Sequence, residues 1–355
     1  MTALFSPFTV RGVTLRNRIG MSPMCQYSAD DGRVNDWHIA HYGGRAAGGV
    51  GLVIVEATAV EARGRITPHD LGIWRDDHQD GLARLAAFID SQGAVPAIQI
   101  AHAGRKAGTA RPWEGGSPLT DEQGGGLPAA PSPIPFADGF RTPHALTPGE
   151  MDGLIGAFVT AARRALWAGF RWIELHAAHG YLLHSFHSPI SNTRTDAYGG
   201  TLENRTRLTV ETVRALRAEI GTDVPLAVRL SCTDWIDGGW TLDDTVWTAA
   251  RLKNAGADLI DCSSGGTARV KIPTAPGYQV PFAHTVRHGA QMPTAAVGLI
   301  TDPAHADAII AEHQADLVLL GRELLRNPVW PQQAARQLLG SAKDILPKAY
   351  IWATD

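Results

Sequence analysis

The chain has 355 residues, 44% of them hydrophobic and 19% charged, which suits a folded globular enzyme and is long for one domain unless that domain is an α/β barrel. A formal net charge of −3 gives no reason to expect a nucleic-acid or anionic-membrane partner. The three cysteines, Cys25, Cys232 and Cys262, are odd in number and lack C-x-x-C spacing, which argues against a disulfide framework and against a structural zinc or iron–sulfur site.

From the N-terminus, MTALFSPFTVRGVTLRNR carries prolines and charges instead of the apolar core of a signal peptide, and no apolar run reaches transmembrane length. A cytoplasmic location is therefore expected. Short β-branched runs then alternate with longer amphipathic segments. The runs are IGMSPM (19–24), GLVIVEAT (51–58), VPAIQIA (95–101), WIELHA (172–177), VPLAVRLS (224–231), DLIDCSS (258–264), PTAAVG (293–298) and DLVLLG (316–321). A first helix is predicted over 36–48, and several helical segments end in Gly just before the next strand. Repeated βα units predict a parallel sheet with right-handed crossovers, and eight of them predict closure into a single (β/α)8 barrel spanning 1–355. The rival is an open doubly wound sheet, weakened because the first βα turn lacks G-x-G-x-x-G. Two stretches lack periodicity, 105–147 after the third strand and 264–285 after the sixth. In a barrel both would lie over the C-terminal mouth, where long loops are functional.

Strand ends and the loops after them carry the chemistry of such barrels. The first offers Ser22, Pro23, Met24 and Cys25, followed by Tyr27. The next ones offer Ala57, then Gln99 and His102, then His176, His179 and Tyr181, then Arg229. The sixth offers Ser263, Ser264, Gly265 and Gly266, and the last two Gly298, Gly321 and Arg322. Two glycine-ended strands with an arginine beside them suit a phosphate, whereas Arg229 and Gln99 offer donors to a planar, electron-accepting ring. Plainer readings exist for each: Gly298 and Gly321 as tight turns, Arg229 as half of an ion pair, Cys25 as a small buried hydrophobe, and His102, His184 and His187 as structural histidines.

In IELHAAHGYLLHSF, His176 and His179 are three apart. A metal reading, completed by His184 or His187, lacks H-E-x-x-H and a carboxylate ligand. Two N–H donors aimed at one oxygen fit better, stabilising charge that develops on a carbonyl or nitro oxygen while Tyr181 supplies a proton to a neighbouring carbon.

The segments NRIGMSPMCQYS, GLVIVEATAVEARGRIT, IQIAHAGRK, IELHAAHGYLLHSFHSPISNTRTDAYGGTLENRTR, DLIDCSSGG and DLVLLGRELLRNP together resemble the Old Yellow Enzyme family of flavin-dependent ene-reductases, in its bacterial, thermophilic-like branch. The resemblance implies FMN bound non-covalently over the barrel mouth and NADPH as reductant. It implies that Ser22, Pro23, Met24 and Cys25 line the flavin ring, and that Ala57, Gln99 and Arg229 bond its edge. Gly298, Gly321 and Arg322 would hold the phosphate, and Ser264 and Gly265 of DLIDCSSGG are placed with the cofactor residues. His176 and His179 would grip the substrate's activating oxygen, Tyr181 would be the proton donor, and Tyr27 would touch substrate. The implied substrates are small electrophilic alkenes; detoxification of electrophiles, nitro-compound reduction and biosynthetic reduction all fit. A homodimer or homotetramer is also implied. The tail ILPKAYIWATD lacks the arginine that some relatives extend into a neighbour's site, and Trp352 is the candidate to take its place. A metal hydrolase built on the histidines and a non-flavin phosphate-binding barrel are the competing classes.

Overall fold

The computed structural model describes residues 2–353. In chain order, a hairpin of β1 (Phe8–Val10) and β2 (Val13–Leu15) precedes β3 (Ile19–Met21), α1 (Asp36–Ala47), β4 (Leu52–Ala59), α2 (Gln79–Ser91) and β5 (Val95–Ala101). After the short strands β6 (Ala129–Ala130) and β7 (His144–Ala145) come α3 (Pro148–Trp167), β8 (Trp172–Ala177), α4 (Leu182–His187), α5 (Leu202–Ile220) and β9 (Leu226–Ser231). The chain continues through α6 (Leu242–Ala255), β10 (Leu259–Ser263), α7 (Val280–Ala290), β11 (Thr294–Val297) and α8 (Pro303–Ala311). It then forms β12 (Leu317–Leu320), α9 (Arg322–Arg326) and α10 (Trp330–Leu339).

Strands β3, β4, β5, β8, β9, β10, β11 and β12 pair in parallel around a closed barrel, the strand after each helix lying beside the strand before it. All eight predicted runs are its staves, most within two residues of the expected bounds. The first is the exception at its C-terminal end: regular pairing stops at Met21, and Ser22–Cys25 leave the sheet. The helices start where side chains can satisfy the free N–H groups of a first turn. Asn35, Thr147, Thr201, Thr241 and Asp302 accept from backbone N–H groups of α1, α3, α5, α6 and α8.

Strand alternation divides the molecule into two apolar regions. Outward residues such as Val53, Ile98, Ile173, Leu175 and Val228 pack against the helices. Inward residues near the strand starts (Leu52, Ala97, Trp172, Ala227, Leu259 and Leu317) form a separate cluster with Val10, Val13 and Leu15 of the hairpin. The hairpin therefore stoppers the N-terminal end, and Arg11 at its turn bonds Asp258 and the Thr222 carbonyl. Higher in the barrel the same inward alternation turns polar. Trp172 is followed by Glu174 and His176, Ala227 by Arg229 and Ser231, and Leu259 by Asp261 and Ser263. The two aperiodic stretches fold over that polar end and are tied together where Arg105 donates to the carbonyls of Pro135 and Thr267.

Candidate active site

A cavity of about 350 Å³ opens at the C-terminal end of the barrel. Ser22, Pro23, Met24, Cys25, Tyr27, Ala57, Gln99, His176, His179, Tyr181, Arg229, Gly298, Gly321 and Arg322 all line it. Residues up to about 300 positions apart in sequence are thus gathered by barrel closure. Ser264 and Gly265 do not line it: the Ser264 hydroxyl bonds Gln279 Oε1 at 2.5 Å, and the Gly265 N–H bonds the Thr233 carbonyl. Their neighbour Ser263 takes the lining position, because it is the inward residue of β10. Trp352 lies outside the cavity, on a short 3-10 helix (Lys348–Ala353), and is 93% exposed.

The turn after β8 sets the histidines. His179 and Gly180 both have positive φ, +59° and +71°. A Cβ on Gly180 would stand 2.2 Å from the Gly266 carbonyl oxygen, so only glycine fits without moving the loop after β10. The strained pair is held from several sides. His179 N–H donates to Ser231 Oγ at 2.9 Å, and Gly180 N–H donates to His184 Nδ1 at 2.8 Å. His184 in turn meets Asp234 at 3.3 Å, and His187 meets Thr209 Oγ1 and stacks on Trp240. Both therefore serve the scaffold. Among the described residues, no group of three or more His, Cys, Asp or Glu is placed to hold a metal ion.

His176 Nε2 and His179 Nδ1 lie 3.4 Å apart with their rings nearly perpendicular. Ala178 N–H donates to His176 Nδ1, which leaves the ring hydrogen on Nε2. His179 Nε2 is 2.7 Å from Ser263 Oγ; with that hydroxyl donating, its hydrogen sits on Nδ1. Burial, together with the positive charge of Arg229, holds both imidazoles well below their usual range, so both are neutral. In that tautomer both rings present an N–H on the neighbouring atoms His176 Nε2 and His179 Nδ1, beside the cavity they line. The Tyr181 ring centroid is 5.0 Å from that of His176, and burial keeps its hydroxyl protonated.

Lys106 completes this corner and was not singled out in the sequence, although it ends the segment IQIAHAGRK. Its ammonium donates to the His179 and Gly266 carbonyls and sits 4.9 Å over the Tyr181 ring. Burial brings it down to about 8. A lysine after a strand resembles any surface cation in sequence, and only the loop closure buries it. Tyr27 has φ +50° and meets Trp113 of the 105–147 stretch edge-on, with ring centroids 6.0 Å apart. Burial of Cys25, with Asp70 and Glu56 nearby, pushes its thiol up, so it is a thiol and not a thiolate.

Beneath the cavity lies a polar layer in which Glu174 and Asp261 join Gln99 and Arg229. Gln99 donates to Glu174 Oε1 at 2.8 Å, and Arg229 Nε lies 3.0 Å from Asp261 Oδ2. At the far side, Gly298 and Gly321 end β11 and β12. A Cβ on Gly321 would meet no protein atom closer than Met24 Sδ at 3.7 Å, so the space above it is open.

A profile of the NADH:flavin oxidoreductase / NADH oxidase family matches residues 3–340. The chain is 52% identical over 339 residues to an NADPH dehydrogenase of Geobacillus sp. (strain WCH70), covering 95% of each. It is 51% identical to an NADPH dehydrogenase of Halalkalibacterium halodurans, covering 94% of each. Among solved structures it is similar to morphinone reductase, with a TM-score of 0.80 at 27% identity over 95% of this chain and 90% of that one. It is also similar to a 2-naphthoyl-CoA reductase, with a TM-score of 0.84 at 28% identity; it covers only 53% of that longer chain, about half its length. The chain belongs to the NADH:flavin oxidoreductase / NADH oxidase family, the Old Yellow Enzyme family, and is an oxidoreductase.

Proposed function

We propose that the protein is an FMN-dependent ene-reductase that draws on NADPH and reduces the activated double bond of α,β-unsaturated carbonyl or nitro compounds. The observation that carries this reading is one cavity with two chemically opposite ends. His176, His179 and Tyr181 form an oxygen trap beside a proton donor at one end, and Gly298, Gly321 and Arg322 suit a phosphate at the other.

The residues present fit FMN. Arg322 and Gly321 both line the cavity, and only Met24 Sδ, at 3.7 Å, would come within 4 Å of a Cβ on Gly321. Gln99 and Arg229 face the cavity between the two ends, and Arg229 Nε has no hydrogen-bond partner of its own. Ser22, Pro23, Met24, Cys25 and Ala57 form the wall against which a flat ring would lie. Bound there, FMN would supply the hydride chemistry between the nicotinamide and the β-carbon of the alkene.

The protein's own part follows from the geometry. His176 Nε2–H and His179 Nδ1–H together bind the substrate oxygen and stabilise the charge that grows there, an effect worth roughly 10²–10³ in rate per donor. Being neutral and held by Ala178 N–H and Ser263, they donate without exchanging protons. Tyr181 gives its phenolic proton to the α-carbon, and Lys106 over its ring favours the phenolate left behind. Tyr27 bounds the substrate side. Both reductant and alkene use this cavity, so ping-pong kinetics are expected. The decisive experiment is the visible spectrum of purified protein, taken anaerobically through NADPH and then 2-cyclohexenone. A flavin band that bleaches and returns supports the reading; a band that bleaches and stays bleached with the enone defeats the roles given to His176, His179 and Tyr181.

The chain functions as a homodimer or homotetramer in this reading, with Trp352 entering a partner's cavity and a cytoplasmic location. The near-complete exposure of this large aromatic supports the first point. Among the described residues no helix is long and apolar enough to cross a membrane. Truncation after Pro347 is expected to weaken substrate affinity, and unchanged affinity would remove Trp352 from the site.

A further inference from the structure

Four side chains from neighbouring strands close the floor of the cavity: Gln99 of β5, Glu174 of β8, Arg229 of β9 and Asp261 of β10. All are at least nine-tenths buried. Two carboxyls face one guanidinium, with the neutral His176 above. Were both carboxyls ionised, this buried layer would carry an uncompensated negative charge, which is unfavourable where water is largely excluded. The contacts divide the two unequally. Asp261 has the guanidinium at 3.0 Å, while Glu174 has only the Gln99 amide, on Oε1, and its Oε2 has no partner.

We propose that Glu174 is a positioning residue kept as the neutral acid beneath the ring site, with its proton on Oε2, while Asp261 stays ionised against Arg229, so that ionisation of Glu174 sets the net charge under the bound ring. The proposal rests on the flavin reading of the cavity. Glu174 acts through Gln99 and Arg229, both of which line the cavity, whereas Glu174 itself does not. With Glu174 neutral, the floor is neutral, and Arg229, paired with Asp261 through Nε, presents its guanidinium at the cavity to a ring that gains negative charge. With Glu174 ionised, the two carboxylates compete for Arg229 and repel that charge.

Burial and the neighbouring Asp261 push Glu174 up to about 8, against the opposing effects of Arg229 and the Gln99 bond. Burial also pushes Asp261 up, and Arg229 opposes this. A ring that becomes negative on reduction raises Glu174 further. Reduction by a hydride brings two electrons and one proton. Above about pH 8, where Glu174 of the oxidised protein is ionised, it takes up a second proton from solvent on reduction.

Two measurements test this on the intact protein. The first is the infrared carbonyl-stretch region of the apoprotein and of the FMN-loaded protein at pH 7. Buried carboxylic acid bands are expected in both, Glu56 and in part Asp70 contributing beside Glu174, and the Glu174 component should be lost in Glu174→Gln. The second is the midpoint potential of bound FMN against pH. Its slope is expected to double above about pH 8, as one proton per two electrons becomes two, and the break should vanish in Glu174→Gln. If that variant does not fold, Glu174→Asp serves, with the band and the break expected to move. Acid-band intensity unchanged between wild type and Glu174→Gln, or an unbroken slope in the wild type, overturns the proposal. Failure of the wild type to bind FMN defeats instead the function on which it rests.

Discussion

The two ends of the barrel are made from the same strands with the same inward alternation, yet they are built for different ends. At the base, Leu52, Ala97, Trp172, Ala227, Leu259 and Leu317 fill the interior beneath the hairpin stopper. Toward the mouth, the next inward residues are Gln99, Glu174, Arg229, Asp261 and then His176, Ser231 and Ser263. Buried polar atoms that make no hydrogen bond include Glu174 Oε2 and both Asp261 oxygens, with Arg229 Nε held against Asp261 by charge alone. Proteins leave few such atoms, and those they keep are commonly answered by a ligand or used in chemistry. The base thus carries stability through apolar volume, and the mouth gives up stability for a preorganised polar surface.

Breaking that contrast calls for substitutions at each end, and the largest effect is expected at the mouth. Replacing His176 and His179 together by Ala should slow alkene reduction by at least about 10²–10³-fold and weaken phenol-type ligands while FMN binding changes little. Loss of FMN with ligand binding intact would assign the pair to the cofactor. At the base, Trp172→Ala should cost roughly 3–5 kcal/mol of stability, measured by denaturant unfolding, with substrate affinity unchanged in the folded fraction. A variant as stable as the parent would show that the interior is not packed as the contacts imply. Gly180→Ala tests stability and site geometry together, since it strains the turn that carries His179 against the Gly266 carbonyl. It should lower stability by roughly 1–3 kcal/mol and raise the substrate KM, with the FMN affinity kept.

The smallest expected effect is in the pH dependence of stability. Burial pushes Glu56 up to about 8 and Asp70 up to about 7, above their usual carboxylate range. A raised folded value favours the folded state fully below the ordinary carboxylate range. That contribution is lost as pH rises through about 7–8. Melting temperature should therefore decline from the ordinary carboxylate range up to about pH 7–8 and level off above it, and Glu56→Gln, which leaves its Tyr42 and Gln26 contacts near in place, should flatten the decline. An unchanged slope would show that Glu56 is not the titrating group.

Local pattern determined much of this protein. β-Branched runs punctuated by glycine marked all eight barrel staves, because a strand buried on both faces is mostly apolar and a helix before it must stop. Barrel chemistry sits at strand ends, so the residues at those ends already named most of the cavity lining. What tertiary structure decided was which neighbour faces inward and what lies behind it. Ser263 takes the place expected of Ser264 because strand alternation points one in and the next out. Lys106 becomes an active-site cation only once the loops after β5 and β10 close around it. The Glu174–Asp261–Arg229 layer reads in sequence as three unrelated charges on three strands. Only the closing of the barrel brings them within reach of one another, and charges interact through space, not along the chain.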